Sequence, residues 1–176
     1  MATTKWTLDP VHSELQFKIR HLMISNVTGD FKKFDGTVET EGDDLTTAKV
    51  QFSADVNSIN TNNEQRDGHL KSADFFDVEK HPEIKFEGAG MAKKDEENYT
   101  MTGNLTMKDA TLPVTLDVVF GGIGKDAYGR TKAGFTIAGK LNRKDYGLSW
   151  TALTEAGGLA LGDEVKIHAE VQFVKG

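Results

Sequence analysis

Apolar and polar residues alternate with period two through almost the whole chain, and that period gives a segment one apolar face only when it is extended as a β-strand. In SELQFKIRH, Leu15, Phe17 and Ile19 alternate with Glu14, Gln16, Lys18 and Arg20. In AKVQFSADV, Val50, Phe52, Ala54 and Val56 alternate with Lys49, Gln51, Ser53 and Asp55. The same phase joins Ile84, Phe86, Gly88 and Gly90, then Tyr99, Met101, Gly103, Leu105 and Met107, then Leu112, Val114, Leu116, Val118 and Phe120. It returns in Ala133, Phe135 and Ile137 and in Val165, Ile167, Ala169, Val171 and Phe173. With Trp6 and Leu8 in front and DFKKFDGTVET near residue 35, about eight or nine strands are expected. Phe31 and Phe34 stand three apart, which predicts a bulge at Lys32 and Lys33.

The links are mostly short and turn-like, as in EGDD, KKDEEN and KDA, so the strands should pair as an antiparallel meander. Such a sheet with one apolar face must pack on a second sheet or close on itself, and closure removes its edges. The expected fold is all-β: an extended antiparallel eight-stranded barrel forming a single domain over residues 1–176, with a two-sheet sandwich as the alternative. An eight-stranded barrel is either filled by its own side chains or able to hold one slender ligand. Ala54, Gly88, Gly90, Gly103 and Ala169 stand on apolar faces among large residues. They leave out volume that could line up as a tunnel, or they mark corners and taper. A hollow walled by Phe, Ile, Val, Leu and Met offers little besides removal of hydrocarbon from water, so its expected ligand is an isoprenoid or acyl lipid chain.

One stretch breaks the alternation: INTNNEQRDGHLKSADFFDVEKHP, from Ile59. Thr61 with Glu64, or Asn62 with Gln65, reads as a capping box, so a short helix is expected near residues 62–72. Leu70, Phe75 and Phe76 should anchor it to an open end of the barrel, as a plug or lid carrying Arg66, Asp67 and His69.

Three segments, WTLDPVHSELQFKIRHLMISNVTGDFKKFDGTV, QRDGHLKSADFFDVEKHPEIKF and GNLTMKDATLPVTLDV, resemble hallmark segments of the YceI-like family in order and spacing over nearly the full length. The resemblance implies a lipocalin-like extended barrel with a helix and an interior tunnel for polyisoprenoids or related amphiphiles, including isoprenoid quinones and fatty-acid amides. It implies binding, storage or transport without catalysis, and no required cofactor beyond a bound isoprenoid or acyl lipid. The candidate ligand-binding residues are Phe17, Ile19, Phe52, Ala54, Phe86, Leu105, Phe120, Phe135 and Ile167 for the walls, with His21, Phe75, Phe76 and Trp150 nearer an opening.

Other chemistry finds little support. Absence of cysteine excludes disulfides, thiolate metal sites and cysteine nucleophiles. A net charge of −6 opposes nucleic acid as a partner. Asp9, His12 and Ser13 are too close in sequence for a hydrolase triad and suit a hydrogen-bond network where a strand begins. His69 with Glu64 and Asp67 does not place metal ligands on one helical face. GGIGKDAYGR lacks the first glycine and the Ser or Thr of a phosphate loop and reads as a hairpin. Tyr146, Leu148, Trp150 and Leu159, in the long connection before the last strand, either line a tunnel mouth or pack beneath a loop. MATTKWTLDP lacks the features of a signal peptide, and nothing approaches the roughly 20 apolar residues of a membrane helix. The expectation is therefore a cytoplasmic protein with no integral membrane segment, or a periplasmic one if the sequence is a mature form. Two functional classes stay open, a carrier of an amphiphilic lipid and a structural or stress-related interaction module with a filled barrel. A homodimer is compatible with either.

Overall fold

The computed structural model describes residues 3–21, 25–73, 75–148 and 161–176, apart from the side chains of His21 and Leu161. Its strands are β1 (Thr3–Leu8), β2 (Glu14–His21), β3 (Ser25–Phe31), β4 (Phe34–Glu41), β5 (Asp44–Asp55), β6 (Ile59–Asn60), β7 (Glu83–Ala89), β8 (Ala92–Lys93), β9 (Asn98–Met107), β10 (Ala110–Lys125), β11 (Thr131–Asn142) and β12 (Leu161–Lys175). One helix, α1, runs from Glu64 to Lys71. Antiparallel pairing in the order β1-β4-β5-β7-β9-β10-β11-β12, closed by β12 on β1, gives the eight-stranded barrel. The upper part of β12 pairs instead with β2, from which the sheet continues through β3 to β6.

Three neighbouring strand lines break side by side. Pro10, which has no N–H for a ladder, opens a 3-10 turn over Pro10–His12 between β1 and β2. Lys32 and Lys33 separate β3 from β4, and a 3-10 turn over Val56–Ser58 separates β5 from β6. The turns are stitched together: Lys33 N donates to Ser58 Oγ at 3.0 Å, and Lys32 N to Ser58 O at 3.2 Å. The bulge expected at Lys32 and Lys33 is thus a full break between two strands, with Phe31 the last residue of one and Phe34 the first of the next. The strand β3 escaped the alternation pattern because its inward positions are Val27, Gly29 and Phe31, with a glycine where a large residue would announce the face. Gly29 is required there, since a Cβ would run into the ring of Phe17 and stand 2.8 Å from Thr61 Cγ2.

Successive antiparallel strands put α1, the 108–109 turn and a 3-10 turn over Arg143–Tyr146 at one end of the barrel. The 42–43 and 126–130 turns and both termini lie at the other. That second end is packed shut. Trp6, Ala133 and Phe173 are buried there with half-buried Phe120; Trp6 Nε1 donates to Thr40 Oγ1 at 3.4 Å, and Thr40 donates on to Gly42 O at 2.6 Å.

At the α1 end the helix is held mainly by its flanks. Asn63 is the N-cap, its side chain accepting from Arg66 N at 3.0 Å, so neither anticipated capping box forms. Thr61, 4% exposed, instead receives the charged pair that follows it. Its N–H and hydroxyl donate to Asp67 Oδ1 at 2.8 and 2.6 Å, and Arg66 donates to its hydroxyl and carbonyl, both at 2.8 Å. Phe75 is buried, with Leu70 and Phe76 partly buried against the same core.

Candidate functional site

The barrel interior is not filled by its own side chains. A cavity of about 540 Å³ runs along the axis, walled by the inward residues of β2, β3, β4, β5, β7, β9, β10, β11 and β12 and covered at the α1 end by Leu70, Phe75 and Phe76. Among the described residues the lining is apolar except for Gln16, Arg66, His69 and Arg143.

Of the expected wall residues, Phe17, Ile19, Phe52, Ala54, Phe86, Leu105, Phe135 and Ile167 all line this one space, as do Phe75 and Phe76 at its covered end. Phe120 does not. It stacks on Phe135 with ring centroids 5.4 Å apart in the packed floor beneath the cavity, beside Trp6 and Phe173. The side chain of His21 and all of Trp150 and Leu159 lie outside the described residues. In the connection before β12, Leu148 lines the cavity, whereas Tyr146, 3% exposed, packs beneath the turn. Burial raises the pKa of its phenol.

The small residues divide into two kinds. Ala54 and Ala169 face open space in the cavity wall. The volume absent at Gly103 is occupied instead, because a Cβ there would stand 2.5 Å from Phe86 Cζ and 2.5 Å from the carbonyl of Glu87. At Gly88 the thioether of Met101 occupies the space, with Sδ 3.1 Å from an added Cβ. Gly90 has φ of +83°, the left-handed conformation of a corner. Two of the five small positions therefore belong to a hollow, and the three glycines belong to packing and a turn.

The polar members of the lining gather at the α1 end. Arg143 is 2% exposed; its Nε donates to Gly162 O at 2.9 Å and its Nη1 to Leu148 O at 2.6 Å, fastening the start of the long connection. Burial pushes its guanidinium below the ordinary value, opposed by the nearby carboxylate of Asp163. His69 meets Phe75 edge to face with centroids 5.1 Å apart. Hydropathy could not have found Arg143, since an arginine in RKDYGL reads as surface. Its only sequence signal is the turn chemistry around it, with Asn142 capping and Gly147 in the left-handed region.

Outside the cavity, Asp9, His12 and Ser13 form the network where β2 begins. His12 Nδ1 lies 2.8 Å from Asp9 Oδ2, but the Ser13 hydroxyl donates to the Asp9 carbonyl and accepts from Gln172 N, so it does not reach the imidazole. Lys132 completes the network at 2.6 Å from Asp9 Oδ2. Hydrogen bonds from Lys132 and then His12 hold the Asp9 carboxyl at a pKa of about 2.

Comparison with known proteins agrees with this architecture. The model of the YceI-like domain matches residues 6–173. The chain belongs to the YceI-like domain family. Among curated relatives, UPF0312 proteins of Staphylococcus epidermidis and Staphylococcus aureus are each 41% identical over 171 residues, covering 97% of both chains. A YceI protein of Campylobacter jejuni superposes with a TM-score of 0.76 at 32% identity, over 90% of this chain and 91% of that one. Two more distant barrels share the fold. These are BcnA of Burkholderia cenocepacia, with a TM-score of 0.81 at 21% identity over 94% and 98% of the chains, and a polyisoprenoid-binding domain of Saccharophagus degradans, with 0.68 at 16% over 97% and 98%.

Proposed function

We propose that this YceI-like barrel is a non-catalytic binding protein that stores or transports one amphiphilic lipid chain in its axial cavity. The observation that carries this reading is the cavity itself: about 540 Å³ of unfilled space walled by hydrocarbon. If each carbon takes about the 30 Å³ share of a water molecule in the liquid, that space accommodates a chain of about eighteen carbons. At ~0.8 kcal/mol per buried methylene such a chain gains about 14 kcal/mol gross. Lost translational, rotational and chain freedom removes a large part of that gain.

Apolar walls discriminate poorly between one hydrocarbon and another, so selectivity falls to the length of the space and to its polar end. There Arg66, His69 and Arg143 supply nitrogen donors, which suit a head group rich in hydrogen-bond acceptors, such as a quinone or an amide. The fold likeness to a polyisoprenoid-binding domain supports the same class of ligand. Catalysis is not part of the reading, because the described residues of the lining bring no carboxylate and no nucleophile-and-base pair to the cavity.

Native mass spectrometry and solvent extraction of the purified protein test the proposal. A stoichiometric lipid with a long hydrocarbon chain is expected. Repeated recovery of lipid-free protein that also fails to take up isoprenoid or acyl probes overturns it.

A further inference from the structure

The outer face of the barrel carries a charge arrangement that the cavity does not explain. Lys140 on β11 pairs directly with Lys166 on β12, and Lys166 pairs directly with Lys18 on β2. All three are exposed and point away from the core. Adjacent strands lie about 4.8 Å apart, so three ammonium groups stand in one row across about 10 Å of sheet. The row borders a shallow groove of about 460 Å³ floored by Ala138 and Gly139, with His168, Gln16 and Thr28 at its rim.

Like charges directly opposite one another across strands destabilise a sheet. Some lysines are relieved locally: Lys32, Lys85, Lys132, Lys144 and Lys175 each stand within 4.0 Å of a carboxylate. Among the described residues no carboxylate lies that close to Lys18, Lys140 or Lys166. Asp117 is the one acid among the described residues of the groove, and His168 leans towards Glu170 at 3.9 Å. A row of unrelieved cations on a chain of net charge −6 is a local reversal of sign.

We propose that the Lys18–Lys166–Lys140 row is a docking face for an anionic bilayer surface. The choice of partner rests on the lipid-binding reading, since a carrier of hydrocarbon must exchange its cargo with a membrane. The chemistry of the row points the same way. The backbone beneath it is committed to sheet pairing, so there is no nest of free N–H groups to encircle a single phosphate. Flexible lysine stems suit a diffuse layer of head groups instead. Among its described residues the groove offers nucleic acid neither an arginine nor a stacking platform, because Phe17, the phenylalanine there, turns its ring into the cavity.

Co-sedimentation at low ionic strength with vesicles of phosphatidylcholine alone, or mixed with phosphatidylglycerol, tests the proposal. Wild type should sediment with the mixed vesicles and not with the neutral ones, and should release as salt shortens the roughly 10 Å screening length of 0.1 M solution. Each lysine near an anionic surface strengthens binding about fivefold, so the triple variant K18Q/K140Q/K166Q should bind about a hundredfold more weakly, while K18R/K140R/K166R retains binding. Circular dichroism confirms that both fold, as expected of exposed positions. Failure of wild type to bind the mixed vesicles, equal binding by the Gln variant, or preference for duplex DNA over vesicles overturns the proposal. Cargo in the same preparations is read separately by native mass spectrometry, so an empty cavity with vesicle binding intact counts against the lipid reading alone.

Discussion

Ala169 pairs with Ile137 on one side and Leu15 on the other, with its methyl group in the cavity wall, so a larger side chain there must enter the cavity. In Ala169→Phe the added phenyl ring displaces roughly three water volumes of about 30 Å³ each, about a sixth of the available 540 Å³. A lipid that fills the cavity then loses about three methylenes of contact, which at ~0.8 kcal/mol each is about 2.4 kcal/mol, or roughly fiftyfold in affinity. Stability should move the other way. In delipidated protein the ring enters hydrocarbon-lined space and its burial contributes about 2 kcal/mol, which raises Tm by about 4–8 °C for a chain of this length. A filled barrel gives the opposite sign, because overpacking costs ~1–3 kcal/mol and lowers Tm. Titration of delipidated wild type and variant with a fluorescent polyisoprenoid or acyl probe, beside a calorimetric scan, separates the two cases. Unchanged uptake together with a fall in Tm refutes the placement of the cavity.

Further outcomes follow from other contacts. Gly103→Ala drives a methyl group against the Glu87 carbonyl and the Phe86 ring, so chemical denaturation should show a loss of about 1–3 kcal/mol. Arg143→Met strips donors from the carbonyls of Leu148 and Gly162, and the buried oxygens should cost about 2–4 kcal/mol together, visible as a lowered Tm. Asn63→Ala removes the cap of α1, and the helix amides should exchange with solvent roughly fivefold faster, for about 1 kcal/mol of local stability. Asp9, with a folded pKa of about 2 against an ordinary 3.8, stabilises the fold above pH 3.8 and loses that contribution as pH falls towards 2. Asp9→Asn should accordingly be less stable at neutral pH by about 1–2 kcal/mol after solvent screening, and the gap to wild type should close over that acid window in pH-dependent denaturation.

Much of the architecture was legible from the alternation. Leu15, Phe17 and Ile19, or Phe52 and Ala54, can bury one face only in extended chain, and a run of such segments joined by short turns has few ways to hide that face. The break at Lys32 and Lys33 was misread as a bulge, because spacing alone cannot tell an extra residue from the end of a strand whose partner turns away at Val56–Ser58. The helix was located by its polar start, but its cap moved to Asn63 once Thr61 was taken up by Asp67 and Arg66.

The candidate site was less legible, for a different physical reason. The sequence by itself determined which side chains face inward, since that depends on period and on nothing outside the strand. Whether an inward position borders open space depends on what its neighbours on other strands extend into it. Gly103 and Ala169 look alike along the chain, but Phe86 fills the place beside the first, whereas the second borders the cavity. The same holds for Phe120, carried into the floor by its position along β10, and for Arg143, whose charge lies inside because two backbone carbonyls meet it there. Only the tertiary structure decided where the barrel is hollow, because a void has no residue of its own and exists as the difference between the volume enclosed and the side chains that reach into it.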